Sequence, residues 1–419
     1  MNGMTMMTRK LKVSIFLFII CWYYVFSESL TLRPFVLIVW PSLLVAGCVL
    51  FNVRIVKHPT FYTFGICLSI IVMSFSLLYS INFSISFRYL MQFILYFGIA
   101  NIITTKITTL DKFLNILLYF LILHVMATYI QVFFPNIYSF LVSPLLPESF
   151  EVLRYKLVSV DGAYVGLTNQ TSVNAIFLSI GIATVNYKLF KRNDPDKKFC
   201  FSLYNISMII LLILFFVALF FTQRRGSVAS MLVVNFLQTM RFRKSRINMM
   251  LAFLLIILII IYVGPENIIG VSSIYSKFVN TSGNELHGRS EIWNNVLLCF
   301  KSKPLLGHGI NTYSTYFNVD VGGSANAHNS YIQTLFELGI IGFAIYYFPI
   351  LIIALKTIYL FWRRKQIKTE KYAIIGFSFS IQLYIIIIAI VEGVFSITST
   401  VFILFIAQLS VKLVDQQSV

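Results

Sequence analysis

The chain is poor in charged residues, and above all in acidic ones. Only 11% of its 419 residues are charged, and 15 Asp and Glu stand against 33 Lys and Arg. About a quarter of the residues in a soluble domain are charged, so this chain has too few to cover a water-exposed surface. The GxxxxGKS/T, HExxH and GxSxG patterns are absent as well. Their absence argues against a P-loop nucleotide site, a zinc protease and a serine hydrolase.

Cysteine is also scarce. The five cysteines show no CxxC spacing, and only Cys299 falls in a predicted outer loop. We therefore predict neither a disulfide nor a metal site from them. The acidic residues on the predicted outer side form no DxD pair of the kind that holds a divalent metal in many sugar-nucleotide transferases. The expected chemistry needs no metal and no cofactor.

Long apolar runs dominate what is present. Hydrophobic residues make up 58% of the chain, in runs that match the roughly 20 residues a helix needs to cross a bilayer. A backbone in lipid must satisfy its own hydrogen bonds, so we predict an all-α polytopic membrane protein. Hydropathy and turn signals place about twelve transmembrane helices at roughly 13–27, 35–52, 60–80, 84–104, 113–134, 166–187, 201–222, 226–240, 247–263, 333–355, 372–391 and 395–411.

The basic residues predict the orientation of these spans. With the N-terminus in the cytoplasm, 23 of the 33 Lys and Arg fall in cytoplasmic segments. This agrees with the positive-inside rule and predicts a multi-pass membrane protein with both termini in the cytoplasm. The net charge of +18 is then a topology signal, and nucleic acid is not expected as a partner.

The spans divide the chain into three parts. Residues 1–263 hold transmembrane helices 1 to 9, residues 264–332 form an extracytoplasmic loop, and residues 333–419 hold helices 10 to 12 and a cytoplasmic C-terminus. A loop of this length in a compact protein is usually functional or disordered. Its sequence predicts short helices, so we interpret it as structured.

The pattern inside this loop is specific. Apolar residues at three- and four-residue spacing predict a helix over 289–300, and Pro304 closes it. Glycines predict a turn over 305–309. Asn329 or Ser330 is expected to cap the helix that leads into span ten.

Charged residues near the outer ends of spans are the first candidates for a site. Arg224 and Arg225 stand side by side in the tight turn between spans seven and eight, and Arg88 lies near the outer end of span four. Ionisable residues at membrane depth are rare and often functional, although arginines near a helix end also snorkel to the interface without further role.

Arg289 and His328 are the candidates within the outer loop. Arginine binds phosphate oxygens through a planar fork that stays charged, which suits a diphosphate. A lone histidine in a loop is usually polar surface. His328, however, comes just before a predicted helix N-terminus, whose dipole disfavours the imidazolium. A neutral imidazole is what a general base requires.

These residues stand in motifs that resemble a known family. Thr222-Gln223-Arg224-Arg225-Gly226 is similar to the T-x-S-R-G turn of the O-antigen ligase and polysaccharide polymerase (Wzy-type) superfamily. The similarity continues through Gly288-Arg289, Trp293, Lys303-Pro304-Leu305-Leu306-Gly307-His308-Gly309, Ala327-His328-Asn329-Ser330-Tyr331 and Leu335-Phe336-Glu337-Leu338-Gly339. It is strongest over residues 222–342.

The resemblance implies a glycosyltransferase of the bacterial cytoplasmic (inner) membrane, with a GT-C-like fold and an active site outside the cytoplasm. Its donor would be an undecaprenyl-diphosphate-linked oligosaccharide, used without a metal and with inversion at the anomeric carbon. Carried over by position, Arg225 and Arg289 would hold the diphosphate and His328 would act as the base. The family has Ser where this chain has Arg224, so either neighbouring arginine is a candidate for the diphosphate.

Three functions remain open at this point. The leading hypothesis is polymerisation of lipid-linked repeat units into O-antigen, capsular or exopolysaccharide. The alternative is an O-antigen ligase that transfers finished glycan to lipid A core or another acceptor. A lipid-linked oligosaccharide flippase is third, because a transporter would concentrate polar residues near mid-membrane. The expected partners are the lipid-linked oligosaccharide, membrane lipid, and a chain-length regulator and flippase of the same pathway.

Overall fold

The computed structural model describes residues 2–26, 35–51, 61–142, 144, 158, 162–193, 202–241, 284–317, 326–363 and 368–415. Every regular element in these ranges is helical. The α-helices are α1 Asn2–Phe26, α2 Val36–Phe51, α3 Phe61–Ser76, α4 Phe83–Ile103, α5 Ile107–Phe133, α6 Pro135–Leu141, α7 Thr171–Arg192, α8 Leu203–Phe221, α9 Arg225–Thr239, α10 Asn284–Phe300, α11 Tyr313–Tyr316, α12 Ser330–Trp362, α13 Thr369–Ile388, α14 Thr398–Ser410 and α15 Lys412–Asp415.

The all-α membrane architecture predicted from hydropathy is confirmed. Eleven of the twelve predicted spans coincide with one of these helices, and the remaining one, 247–263, lies outside the described residues. By length and composition, seven of the helices are apolar and long enough to cross a membrane, and three shorter apolar helices accompany them. The helix that matches the predicted span 226–240 is α9, with 15 residues.

The core is built around α7 and α13. α7 packs most extensively against α13, and also against α5 and α8. Small residues allow these close approaches, as is usual between membrane helices. A Cβ added at Gly181 of α7 would lie only 2.0 Å from the Phe215 ring of α8, so the two helices meet where a side chain is missing.

The long helix α12 is broken at Gly339, which the sequence did not predict. Gly339 has φ 66° and ψ −175°, a conformation that only glycine adopts without strain. The predicted glycine turn lies against this break, with Gly307 at φ 71° and Gly309 at φ 106°. The backbone N–H of Gly309 donates to the Glu337 carbonyl at 2.8 Å, and that of Ile340 donates to the Pro304 carbonyl at 2.9 Å. The turn and the broken helix are thus held together as one unit.

Charged side chains also meet at the end of the bundle where α7 terminates and α13 begins. Asp111 of α5 lies 2.9 Å from Lys191 Nζ and 3.7 Å from Lys188 Nζ, and the Tyr187 hydroxyl donates to it at 3.1 Å. Lys191 is also 3.7 Å from Glu370 at the start of α13. This group, the α7 charge cluster, lies at the end predicted to be cytoplasmic.

Candidate functional site

The turn between α8 and α9 carries the two adjacent arginines. Gln223 has φ 58°, in the left-handed region, and lets the chain reverse within a few residues. The Arg224 Nε–H donates to Thr171 Oγ1 at 2.7 Å, and Nη1 donates to Glu392 Oε1 at 3.2 Å. Arg224 is therefore anchored by the start of α7 and by the segment between α13 and α14.

Arg225 begins helix α9. The glycine after it, Gly226, explains how the turn packs against the end of α13. A Cβ added at Gly226 would lie 2.7 Å from Val391 Cγ2 and 2.9 Å from Ile388 Cδ1. The missing side chain thus lets the N-terminus of α9 approach the end of α13. As a result, Arg225 begins its helix beside the segment that Arg224 contacts.

Arg289 comes to the same segment from helix α10. Its Nη1 lies 3.4 Å from the Val391 carbonyl oxygen, to which it donates. The helix that carries it is held in place by Trp293, whose indole Nε1–H donates to the Ala327 carbonyl at 2.8 Å. The predicted helix over 289–300 is confirmed, and it ends at Phe300 as the position of Pro304 indicated.

His328 completes the group from the loop before α12. It has φ 50°, an uncommon backbone conformation for a residue with a side chain, and Asn326 Oδ1 accepts from its backbone N–H at 2.9 Å. Asn329 caps α12 by accepting from the backbone N–H groups of Tyr331 and Ile332, which confirms one of the two predicted caps. The His328 ring thus stands at a helix N-terminus with its Nδ1 3.8 Å from Glu392 Oε2.

Glu392 is the residue on which these side chains converge, and the sequence did not reveal it. Its side chain is 13% exposed and lies in the short connection between α13 and α14. Burial acts to raise the pKa of Glu392, but nearby His328, Arg224 and Arg289 outweigh it and lower the pKa from its ordinary value. Glu392 therefore stays ionised at neutral pH. The available signal was an isolated acid between two apolar runs, which is costly unless it is paired.

Arg88 is placed differently from the other candidates. It is exposed on α4, whereas its neighbours Ser86 and Tyr89 face inward. The Ser86 hydroxyl donates to the Ile310 carbonyl at 2.5 Å, and the Tyr89 hydroxyl donates to the Phe395 carbonyl at 2.7 Å. None of the contacts that define the cluster of Arg224, Arg289, His328 and Glu392 involves Arg88.

The neighbouring His308 has a structural role. Its ring stacks on Phe336 with centroids 4.5 Å apart, and Nε2 lies 3.1 Å from the Cys299 carbonyl. Burial lowers the pKa of His308, so the ring is neutral and joins α10 to α12. His328 is the histidine that faces the charged cluster.

The arrangement is suited to an anion. Two arginines from separate elements, Arg224 and Arg289, face one carboxylate, which leaves an excess of positive charge on a partly buried surface. Guanidinium groups bind phosphate oxygens in this setting, and an imidazole beside them is in place to take a proton. The five motifs that the sequence singled out therefore meet at one end of the bundle.

Comparison with known families agrees with this arrangement. Residues 210–347 match the family model described as O-antigen ligase, a stretch that holds Arg224, Arg225, Arg289 and His328 but not Glu392. No curated protein matches the chain significantly. The matched family consists of glycosyltransferase-like enzymes that act on lipid-linked oligosaccharide, and its presence with the apolar helices indicates a bacterial membrane protein. The match over residues 210–347 supports a place in the O-antigen ligase and Wzy-type superfamily for this part of the chain.

Proposed function

We propose that this protein polymerises undecaprenyl-diphosphate-linked oligosaccharide repeat units into O-antigen, capsular or exopolysaccharide. The reaction would take place on the outer face of the cytoplasmic membrane and would not require a metal. The observation that carries the proposal is the approach of Arg224, Arg289 and His328 to residues 391 and 392, from three elements far apart in sequence.

The two arginines of the turn take different roles in this proposal. Arg224 already donates to Thr171 and Glu392, so its guanidinium serves to hold the turn in place. Arg225 follows it at the first position of α9, where the helix dipole adds to the attraction for an anion. We therefore assign Arg225 and Arg289 to the diphosphate. The glycine that follows Arg225 supports the choice of Arg225 over Arg224, because the family's T-x-S-R-G motif also has glycine directly after its arginine.

The chemical step transfers a glycosyl group. The acceptor hydroxyl oxygen forms a bond to the anomeric carbon, and the bond from that carbon to the diphosphate oxygen breaks. His328 takes the hydroxyl proton, and the electron pair of the broken bond leaves with the lipid diphosphate. Because negative charge grows on the leaving diphosphate, the arginines bind the transition state more tightly than the ground state. Attack opposite the leaving group inverts the anomeric carbon.

The test is complementation of a strain from which the gene is deleted. Arg289→Ala and His328→Ala are expected to insert normally and to leave single repeat units on the lipid carrier, as seen by gel analysis of the glycan. Glu291→Gln, an exposed acid on the same helix as Arg289, serves as the control and should restore normal polymer. Normal polymer length in both Ala variants would refute the assignment of these residues.

The O-antigen ligase function is the second candidate, because the match to the O-antigen ligase family supports both functions and does not separate them. The deletion strain separates the two functions. Loss of long chains with a one-unit product retained on the final acceptor indicates a polymerase. Full-length chains that stay on undecaprenyl diphosphate indicate a ligase.

A further inference from the structure

We infer that Glu392 is a positioning residue that acts through His328: its carboxylate aligns the imidazole through Nδ1 and leaves Nε2 to accept the proton. The inference rests on the proposed function, because it assigns a partner to the proposed base. Glu392 lies outside the segment that matches the family model. Its role is therefore read from the geometry of this chain alone.

The two oxygens of Glu392 face different partners. Oε1 accepts from Arg224 Nη1 at 3.2 Å, and Oε2 lies 3.8 Å from His328 Nδ1. Because one oxygen accepts from Arg224 and the other approaches His328, Glu392 fixes the turn that carries the arginines relative to the loop that carries the histidine. One side chain thus sets the relative position of the diphosphate-binding group and the base.

The His328 ring is oriented for such a contact. Its Nδ1 is buried and has no hydrogen-bond partner within the described residues, while the side chain as a whole is 31% exposed. The exposed part of the ring therefore lies away from Nδ1. At 3.8 Å the contact with Oε2 is too long for a hydrogen bond, and an approach of about 1 Å would form one. Catalytic hydrogen bonds are often long before substrate binds and shorten in the complex.

The segment that carries Glu392 is held by its own contacts. The Ser330 hydroxyl donates to the Glu392 carbonyl at 2.9 Å, and the Ser330 backbone N–H donates to the Ala389 carbonyl at 2.8 Å. The Glu392 N–H donates to the Ile388 carbonyl at 2.9 Å. Because Ser330 lies two residues after His328, the same short stretch of chain ties the base to the carboxylate. The backbone at Glu392 is therefore fixed relative to the loop that carries His328.

Electrostatics distinguish this role from simple packing. Among the described residues, the charged and titratable groups that interact with Glu392 are His328 before α12, Arg224 before α9, Arg289 on α10 and Tyr384 on α13. An ionised carboxylate beside an imidazole favours the protonated ring. Removing the negative charge while keeping the shape should therefore change how the transfer rate depends on pH. A residue that only fills space would have no such effect.

The experiment compares Glu392→Gln with wild type in purified protein reconstituted in phospholipid vesicles. The donor is the lipid-linked unit extracted from the deletion strain. We expect kcat to fall about 100-fold, which is within the range of general-base catalysis, while KM for the donor stays the same or decreases. The acid limb of the profile of kcat/KM against pH should shift from its wild-type position. In a His328→Ala background, Glu392→Gln should cost less than about threefold, because the two residues act as a unit.

Conservative variants complete the test. Glu392→Asp keeps the negative charge but shortens the side chain by one methylene group, which moves the carboxylate away from His328. We expect kcat to lie about tenfold below wild type, and the acid limb of the profile of kcat/KM against pH to stay unchanged. This variant decides the question if the Gln variant does not accumulate in the membrane: a wild-type rate or a shifted limb would contradict the inference. Glu291→Gln again serves as the control for loss of an acid.

The outcomes separate the two proposals. Full activity in His328→Ala overturns the proposed base and, with it, the role of Glu392 inferred here. A deletion strain that keeps its long chains overturns the proposed function. An inactive His328→Ala together with a wild-type rate and pH profile in Glu392→Gln overturns only the role of Glu392. Equal losses from Glu392→Gln in the wild-type and His328→Ala backgrounds would also overturn it, because the carboxylate would then act independently of the histidine.

Discussion

At the end of the bundle where α7 terminates, Asp111 faces Lys188 and Lys191, two residues of one helix, with Glu370 close by. At the other end, Glu392 faces Arg224 and His328, with Arg289 beside it, and each comes from a different turn or helix. The α7 charge cluster is balanced, with two lysines against two acids that come from α5 and α13. The Glu392 cluster is not balanced, because two arginines and a histidine face one acid. An excess of cations that is gathered from distant parts of the chain indicates a site for an anion rather than a structural ion pair.

Of the variants that test this comparison, Arg225→Ala should have the largest effect on transfer activity. Arg225→Ala is expected to lower kcat/KM for the lipid-linked donor by about 100- to 1000-fold, because a donor to the developing charge is lost. Arg224→Ala should lower it about tenfold, since Arg224 acts through Glu392 and Thr171. Initial rates in vesicles measure both. A larger loss from Arg224→Ala than from Arg225→Ala would reverse the assignment.

A variant at the break in α12 tests whether the end of the bundle that carries the Glu392 cluster depends on the backbone conformation of Gly339. Gly339→Ala places a side chain at φ 66° and within 2.3 Å of the Leu305 carbonyl oxygen, so it should destabilise the protein by about 2–4 kcal/mol. Thermal unfolding in detergent should show a Tm several degrees lower. Ala at Gly162, which also has positive φ but no atom within 4 Å of an added Cβ, is the control. An equal Tm loss at both positions would show that the contact with Leu305 adds nothing.

Gly226→Ala tests the close approach of α9 to the end of α13. The new methyl group would lie 2.7 Å from Val391 Cγ2, so the turn or the Val391 side chain must move by roughly 0.7 Å or more to restore an ordinary contact. A small displacement of the neighbouring arginines should lower kcat about tenfold while the amount of protein in the membrane stays the same. Wild-type kcat in this variant would show that the turn has more freedom than its packing indicates.

Asp111→Asn at the opposite end should have the smallest effect. Asp111 is 21% exposed, and partly exposed ion pairs contribute little, so we expect about 1 kcal/mol of stability or less. Transfer activity should change less than about twofold, because the change is remote from the Glu392 cluster. Parallel Tm and rate measurements check both values. A loss of activity near that of Arg225→Ala would mean that the two ends are coupled.

Much of this structure follows from local sequence. The helices coincide with the predicted spans because apolar length is a property of each segment alone, and Asn329 and Pro304 mark ends by local rules. Glu392 could not be predicted in the same way, since its partner Arg224 is 168 residues away. Nor could the break at Gly339, which depends on the turn at Gly307 packing against it. The roles of Arg225, Arg289 and His328 remain predictions that the proposed variants test, and the role of Arg88 remains a prediction as well.

The position of Glu392 has a consequence for protein engineering. The stretch that matches the family model ends at residue 347, and α13 and α14, which hold Glu392 between them, follow it. A chimera that receives only the matched stretch would gain the arginines and the histidine but take the acid from its host. Activity in such a hybrid should therefore depend on whether the host supplies a carboxylate between its last two long helices. A hybrid that keeps this cluster together therefore needs residues 210 to the end of α14 and also the start of α7, where Thr171 accepts from Arg224.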